Sequence, residues 1–102
     1  MAKTLGKKAS KGRILLEIIR QGFKTETDDP IFRNLRYGIR KVGVVNISNQ
    51  TFYISQNAKG ADYRIKENAL EKLEEEVTSR GWNFQYVSFN PTRENLIRYG
   101  LA

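Results

Sequence analysis

The chain contains no cysteine and no histidine. The first absence excludes a disulfide scaffold, a thiolate zinc site and thiol catalysis. The second removes the side chain that most often serves as a general base near neutral pH. No apolar run approaches the roughly 20 residues of a membrane span. The opening MAKTLGKKASKGR has charge but no apolar centre, so it does not read as a secretory signal. Cytoplasmic residence without a membrane is the resulting expectation. Neither type of Gly-rich nucleotide loop occurs. No serine–histidine pair exists, and no other catalytic arrangement stands out. The chain reads as a non-enzyme without cofactor or metal.

What is present suits one small α+β domain. The 102 residues are 39% hydrophobic and 28% charged, within the ordinary globular range. The formal charge is +7, and it is unevenly placed. Residues 1–41 hold eleven Lys and Arg against four Asp and Glu, a net +7; residues 42–102 hold seven of each, a net of zero. Charge concentrated in one part of a molecule favours a polyanion-facing surface over a general solubility device.

Residues 1–13 read as a flexible basic arm ahead of a single domain over 14–102. Lys3, Lys7, Lys8, Lys11 and Arg13 alternate with small residues, a pattern able to follow a phosphate backbone. ILLEIIRQGF, residues 14–23, predicts a central helix capped by Ser10 and stopped by Gly22, with Phe23 folded back on the core. Asp28 or Asp29 followed by Pro30 is a helix-start signal, and PIFRNLRYGIRKV predicts a second helix. Its apolar set is Ile31, Phe32, Leu35, Ile39 and Val42. Arg33, Arg36, Tyr37, Arg40 and Lys41 fall on the other side. Gly38 weakens that helix by about 1 kcal/mol. VGVVNIS and TFYIS predict a hairpin turning at Asn49-Gln50, with a loop over 56–62. Residues 65–80 predict the clearest helix, buried along Ile65, Ala69, Leu70, Leu73 and Val77 and ended by Gly81. WNFQYVSF, residues 82–89, alternates as a strand. Asn90-Pro91 then starts a short helix ending at Gly100.

Two segments resemble each other. Arg33 to Ile39 follows Asp29-Pro30, and Arg93 to Leu101 follows Asn90-Pro91; both carry Arg-Tyr-Gly, and each lies beyond a Gly-aromatic pair. The expectation is a three-stranded antiparallel sheet packed with three to four helices, in a winged-helix-like or two-repeat arrangement.

Three constellations bear on function. The first is the row Arg33, Arg36, Arg40 and Lys41 with Tyr37 between, which on a helix would repeat about every 5 Å and meet successive phosphates. With the arm residues Lys7, Lys8, Lys11 and Arg13, it makes a small accessory nucleic-acid-binding protein, for DNA or RNA, the leading expectation. Tyr37, Asn34 and the hairpin would supply any base selectivity. The plainer reading is a solvated helix face. The second is Trp82, Phe84 and Tyr86, with Phe52 and Tyr53. These can stack bases, but aromatics on one strand face more often fill a core. The third is the acidic run Glu67 to Glu76, where Glu71 and Glu75 one turn apart could hold a hard cation. It reads rather as a solvated face, partly paired to Lys72. The alternative function is a protein–protein adaptor, with a peptide groove between the two related motifs or an open sheet edge, and a protein partner or second copy as its occupant.

Overall fold

The structure is a computed structural model and describes residues 18, 22–26, 29, 31–59, 65 and 68–101. Five strands form one sheet in the order of the chain. They are β1 (Phe23–Glu26), β2 (Phe32–Tyr37), β3 (Arg40–Asn46), β4 (Thr51–Ser55) and β5 (Asn83–Val87). A short 3-10 turn, Gln56–Lys59, follows β4. Helix α1 (Ala69–Ser79) joins β4 to β5, and helix α2 (Arg93–Arg98) follows β5. Neighbouring strands are antiparallel except β4 and β5, which are parallel. The α+β class holds. The three-stranded antiparallel sheet with three to four helices does not: the sheet is five-stranded and mixed, and α1 and α2 are the helices bounded within the described residues.

The main departure is the segment after Pro30, which forms the β2–β3 hairpin and not a helix. The Asp29 signal is genuine, but a turn consumes it. Asp29 Oδ1 accepts the backbone N–H groups of Ile31 at 2.8 Å and Phe32 at 3.2 Å. An Asx turn and a helix cap satisfy the same donors, so the signal does not separate them. Gly38 decides the rest. Its φ of +65° fits the first position of a two-residue hairpin loop, with Ile39 second and Tyr37 paired to Arg40. The glycine that would cost a helix stability lowers the cost of a tight turn. Tertiary burial favours the strands as well. Phe32 and Leu35, three apart, point to opposite faces of a strand, and each enters a different core.

The sheet is covered on both faces. On the first face Phe23, Leu35, Val42, Val45, Phe52 and Ile54 meet Leu70, Leu73 and Val77 of α1, with Ile18 and Trp82. On the second, Phe32, Val44, Tyr53 and Val87 meet Leu96 of α2, and the Tyr53 hydroxyl donates to the Leu101 carbonyl. Trp82, Phe84 and Tyr86 all belong to the first core or pack against it, so the core reading of those aromatics is the observed one. Tyr86 also donates to Glu74 of α1 at 3.1 Å.

Both helices end as their glycines predict. The N–H of Trp82 reaches the Val77 carbonyl and that of Gly81 reaches Thr78; at α2, Leu101 reaches Leu96 and Gly100 reaches Ile97. These are the paired bonds of a Schellman stop. The α2 cap is Thr92, whose Oγ1 accepts from Asn95 N–H, and not Asn90. The β3–β4 turn lies where expected, although the positive φ falls on Gln50 and not Asn49.

The repeat fails as structure. Arg33–Gly38 forms a strand and turn, whereas Arg93–Gly100 forms a helix and its stop. The groove between related halves falls with it, and so does the winged arrangement, which required a helix before the hairpin. Of the predicted helix over 14–23, Ile18 is helical and buried and Phe23 opens β1; the remaining positions, except Gly22, lie outside the described residues. So does the arm over 1–13.

Candidate functional site

The expected site residues divide into three groups. Lys7, Lys8, Lys11 and Arg13 lie outside the described residues. Arg33 sits near the start of β2, opposite Val45. It is on the face away from Arg36, because the two are an odd number of residues apart on one strand. Its Nε is buried with no hydrogen-bond partner among the described residues. Arg36, Tyr37, Arg40 and Lys41 share the hairpin end of β2 and β3, where successive pairs alternate: Arg36 opposite Lys41 on one face, Tyr37 opposite Arg40 on the other. The helical stripe is thus replaced by a cross-strand cluster from which Arg33 is missing.

A bulge builds this cluster. Leu35 pairs with Gly43 and Arg36 with Lys41, so Val42 is the extra residue on β3. Without it, Lys41 would turn to the other face. Gly43 makes the close approach possible: a Cβ there would collide with the Tyr53 carbonyl oxygen and stand 2.9 Å from Ile54 Cδ1. On the other side of β2, Lys24 of β1 is directly opposite Arg36. Lys24, Arg36 and Lys41 therefore form one row across three strands on the second face. Like charges directly opposite are destabilising. Glu26 relieves part of the repulsion, with Oε2 2.8 Å from Arg36 Nε. Arg36 also donates through Nη1 to the Ile39 carbonyl at 3.2 Å, bracing the turn. Burial pulls the Lys41 ammonium below the usual lysine range, and the Arg36 guanidinium acts in the same direction.

Tyr37 faces the other way. Its ring meets Phe23 edge-on, with centroids 4.9 Å apart. It is half-buried packing at the margin of the first core and offers no open platform for a base.

Arg40 and Lys41 also line a cleft of about 400 Å³. Ser55 and Asn57 contribute from the end of β4 and the turn after it, and Ser88 and Asn90 from the segment after β5. Phe89 is the apolar wall. The cleft lies outside the carboxyl ends of the two parallel strands, the position where open α/β sheets hold their ligands. Its lining residues include two cationic ones, four neutral polar ones and no acidic one. The acidic residues of α1 are on the helix covering the first face, away from the cationic row. Among the described residues no group of three or more acidic side chains is placed to hold a metal. None of the described helices is long and apolar enough to cross a membrane.

The sequence reading missed Lys24 and the whole β4–β5 rim. A signal for the rim was present. A strand, a helix and a strand in succession form the usual crossover between parallel neighbours, and the ends of such strands are where polar residues gather at a site. Comparison with protein-family models, curated proteins and solved structures finds no match.

Proposed function

We propose that the chain is a small nucleic-acid-binding protein without catalytic function. It engages phosphates through the cationic end of β1–β3, with Lys24, Arg36, Arg40 and Lys41 as the contacts. The observation that supports this reading is the Lys24–Arg36–Lys41 row. Three cations held opposite one another cost the fold stability, and a polyanion laid across them recovers that cost. Local conflicts of this kind are where functional sites are expected. The basic sequence of residues 1–13 supports further phosphate contacts from the arm. DNA and RNA are both compatible with a face that offers phosphate contacts, which carry no sequence information.

The test is fluorescence anisotropy of labelled duplex DNA, single-stranded DNA and RNA, each at about 50 and 200 mM salt. Binding at micromolar concentration or tighter, falling steeply with salt, is expected. Arg40→Gln with Lys41→Gln is expected to lower the log–log salt slope on duplex by about two, near 0.9 for each phosphate no longer neutralised. No binding at low salt, or an unchanged slope in the double variant, overturns the reading.

A further inference from the structure

The cationic row is shallow and suits a backbone passing over it. The cleft beside it is different in shape and in chemistry, because it is concave and combines cations, hydroxyls, amides and one aromatic wall. A volume of about 400 Å³ is at the small end of ligand sites and accommodates one nucleotide, not a length of duplex. Lys41 and Arg40 supply positive charge at its β3 side. Ser55 is buried and its Oγ accepts the Asn57 N–H at 3.2 Å, which leaves the hydroxyl proton available as a donor. Ser88 and Asn90 add polar groups at the opposite rim. Phe89 lines the cleft, packs against the margin of the second core and stacks on Tyr99, with ring centroids 4.6 Å apart; Tyr99 is 57% exposed. An aromatic surface therefore continues from the cleft wall to the outside, next to a cationic polar floor.

We infer that this cleft binds a phosphate monoester carried on a nucleotide, the phosphate at Arg40 and Lys41 and the base against Phe89. A phosphate group accepts charge-assisted bonds from both cations and neutral bonds from the serine hydroxyls. Any of the four bases can use the aromatic wall, because each has a π-face. The same chemistry comes from two sources, a free mononucleotide or the phosphorylated end of a strand. The inference deepens the nucleic-acid reading and takes from it the sign of the charge, though not the length of the ligand.

The experiment is titration calorimetry of the full chain at low salt with adenosine monophosphate, adenosine, inorganic phosphate, and one short single-stranded oligonucleotide with and without a 5′-phosphate and with a 3′-phosphate. The monophosphate is expected to bind at least tenfold more tightly than adenosine. Lys41→Gln is expected to weaken it about tenfold or more, the scale of one missing charge-assisted bond. Phe89→Leu is expected to weaken the nucleotide and leave inorganic phosphate unchanged, with circular dichroism confirming that both variants fold. A tenfold preference for a phosphorylated oligonucleotide assigns the cleft to strand ends. Monophosphate binding without that preference assigns it to free nucleotides. Monophosphate no tighter than adenosine, or equal binding by wild type and Lys41→Gln, overturns the inference. If oligonucleotides still bind with steep salt dependence in that case, the cationic row retains its role and only the cleft is left without a ligand.

Discussion

Arg36 and Lys41 stand directly opposite each other across β2 and β3, at the point where Val42 is bulged out of the ladder. The bulge keeps both cations on the second face of the sheet, and Lys24 extends the pair to β1. Arg36 is held from two sides, by Glu26 and by the Ile39 carbonyl. Lys41 is half-buried at the mouth of the cleft. Arg36 thus braces the hairpin as well as contributing to the cationic row, while Lys41 brings its charge to the cleft.

This arrangement sets the outcome of neutralising Lys41. Its ammonium is held below the ordinary value of 10.5 by burial and by Arg36. A base with a depressed folded pKa destabilises the fold while it is charged, and the cost is relieved as pH rises through the folded value toward the unfolded one. Lys41→Met is expected to be more stable than wild type at pH 7, by up to about 1 kcal/mol because the site is partly solvated. The difference shrinks toward pH 10, and the variant binds nucleic acid more weakly. Urea midpoints at the two pH values check this. A variant less stable than wild type at pH 7 would remove like-charge strain from the account.

Gly43 tests the bulge. Alanine there places a Cβ against the Tyr53 carbonyl oxygen and 2.9 Å from Ile54 Cδ1. Backbone cannot yield as a flexible side chain does, so Gly43→Ala is expected to cost about 3 kcal/mol. Weakening of the salt-sensitive part of nucleic-acid binding should accompany it, since Lys41 depends on the same register. Chemical denaturation and anisotropy on the one variant measure both. A neutral substitution would mean that the β4 backbone at Tyr53 yields to a methyl group.

Asp29 predicts an acid limb. Its carboxyl is lowered from the usual 3.8, chiefly by the Ile31 N–H bond, with Phe32 N–H and Arg93 adding to the effect against desolvation. A depressed carboxylate contributes stability above its unfolded pKa and loses it as pH falls through the folded value. Asp29→Ala should therefore be less stable than wild type at pH 7. The gap should close as pH drops below 3.8. Thermal melts across pH 2–7 follow it, and a gap independent of pH would assign the effect to the Arg93 side chain's packing over Phe32.

The second core rests on a helix of six residues. Leu96 is fully buried there, while Ile97 beside it is 55% exposed. Leu96→Ala is expected to cost about 3 kcal/mol, and Ile97→Ala to stay within about 0.5 kcal/mol of wild type. Equal effects in equilibrium unfolding would show that α2 does not cover the second face.

How legible the molecule is from its sequence varies along the chain for physical reasons. The helix expected over 65–80 declares itself because Ala69, Leu70, Leu73 and Val77 repeat with helical period and Gly81 stops them, although it begins only at Ala69 and Ile65, counted in the same stripe, lies ahead of it. The β3–β4 hairpin shows in its β-branched runs. The segment from Asp29 to Lys41 misleads because each local sign has two uses. An aspartate before proline caps a helix or closes an Asx turn. A glycine amid Arg and Tyr weakens a helix or starts a hairpin loop. The apolar set Phe32 and Leu35 lines one helix stripe or feeds two faces of a strand. The resemblance between Arg33–Gly38 and Arg93–Gly100 misleads for the same reason, since short polar matches do not fix backbone state.

By itself, then, the sequence determined the unequal distribution of charge, the exclusion of thiol and imidazole chemistry, the α+β class, the two glycine helix stops and the β3–β4 turn, because these depend on composition or on residues within one turn of each other. Tertiary structure decided that residues 32–46 are two strands, that β4 and β5 run parallel, and that Lys24, Arg36 and Lys41 share a face beside a cleft. Those outcomes depend on which strands pair and in what register. The register is set by burying Phe32 and Leu35 on opposite sides and by the single extra residue at Val42, and pairing between distant segments leaves no periodic trace within either one.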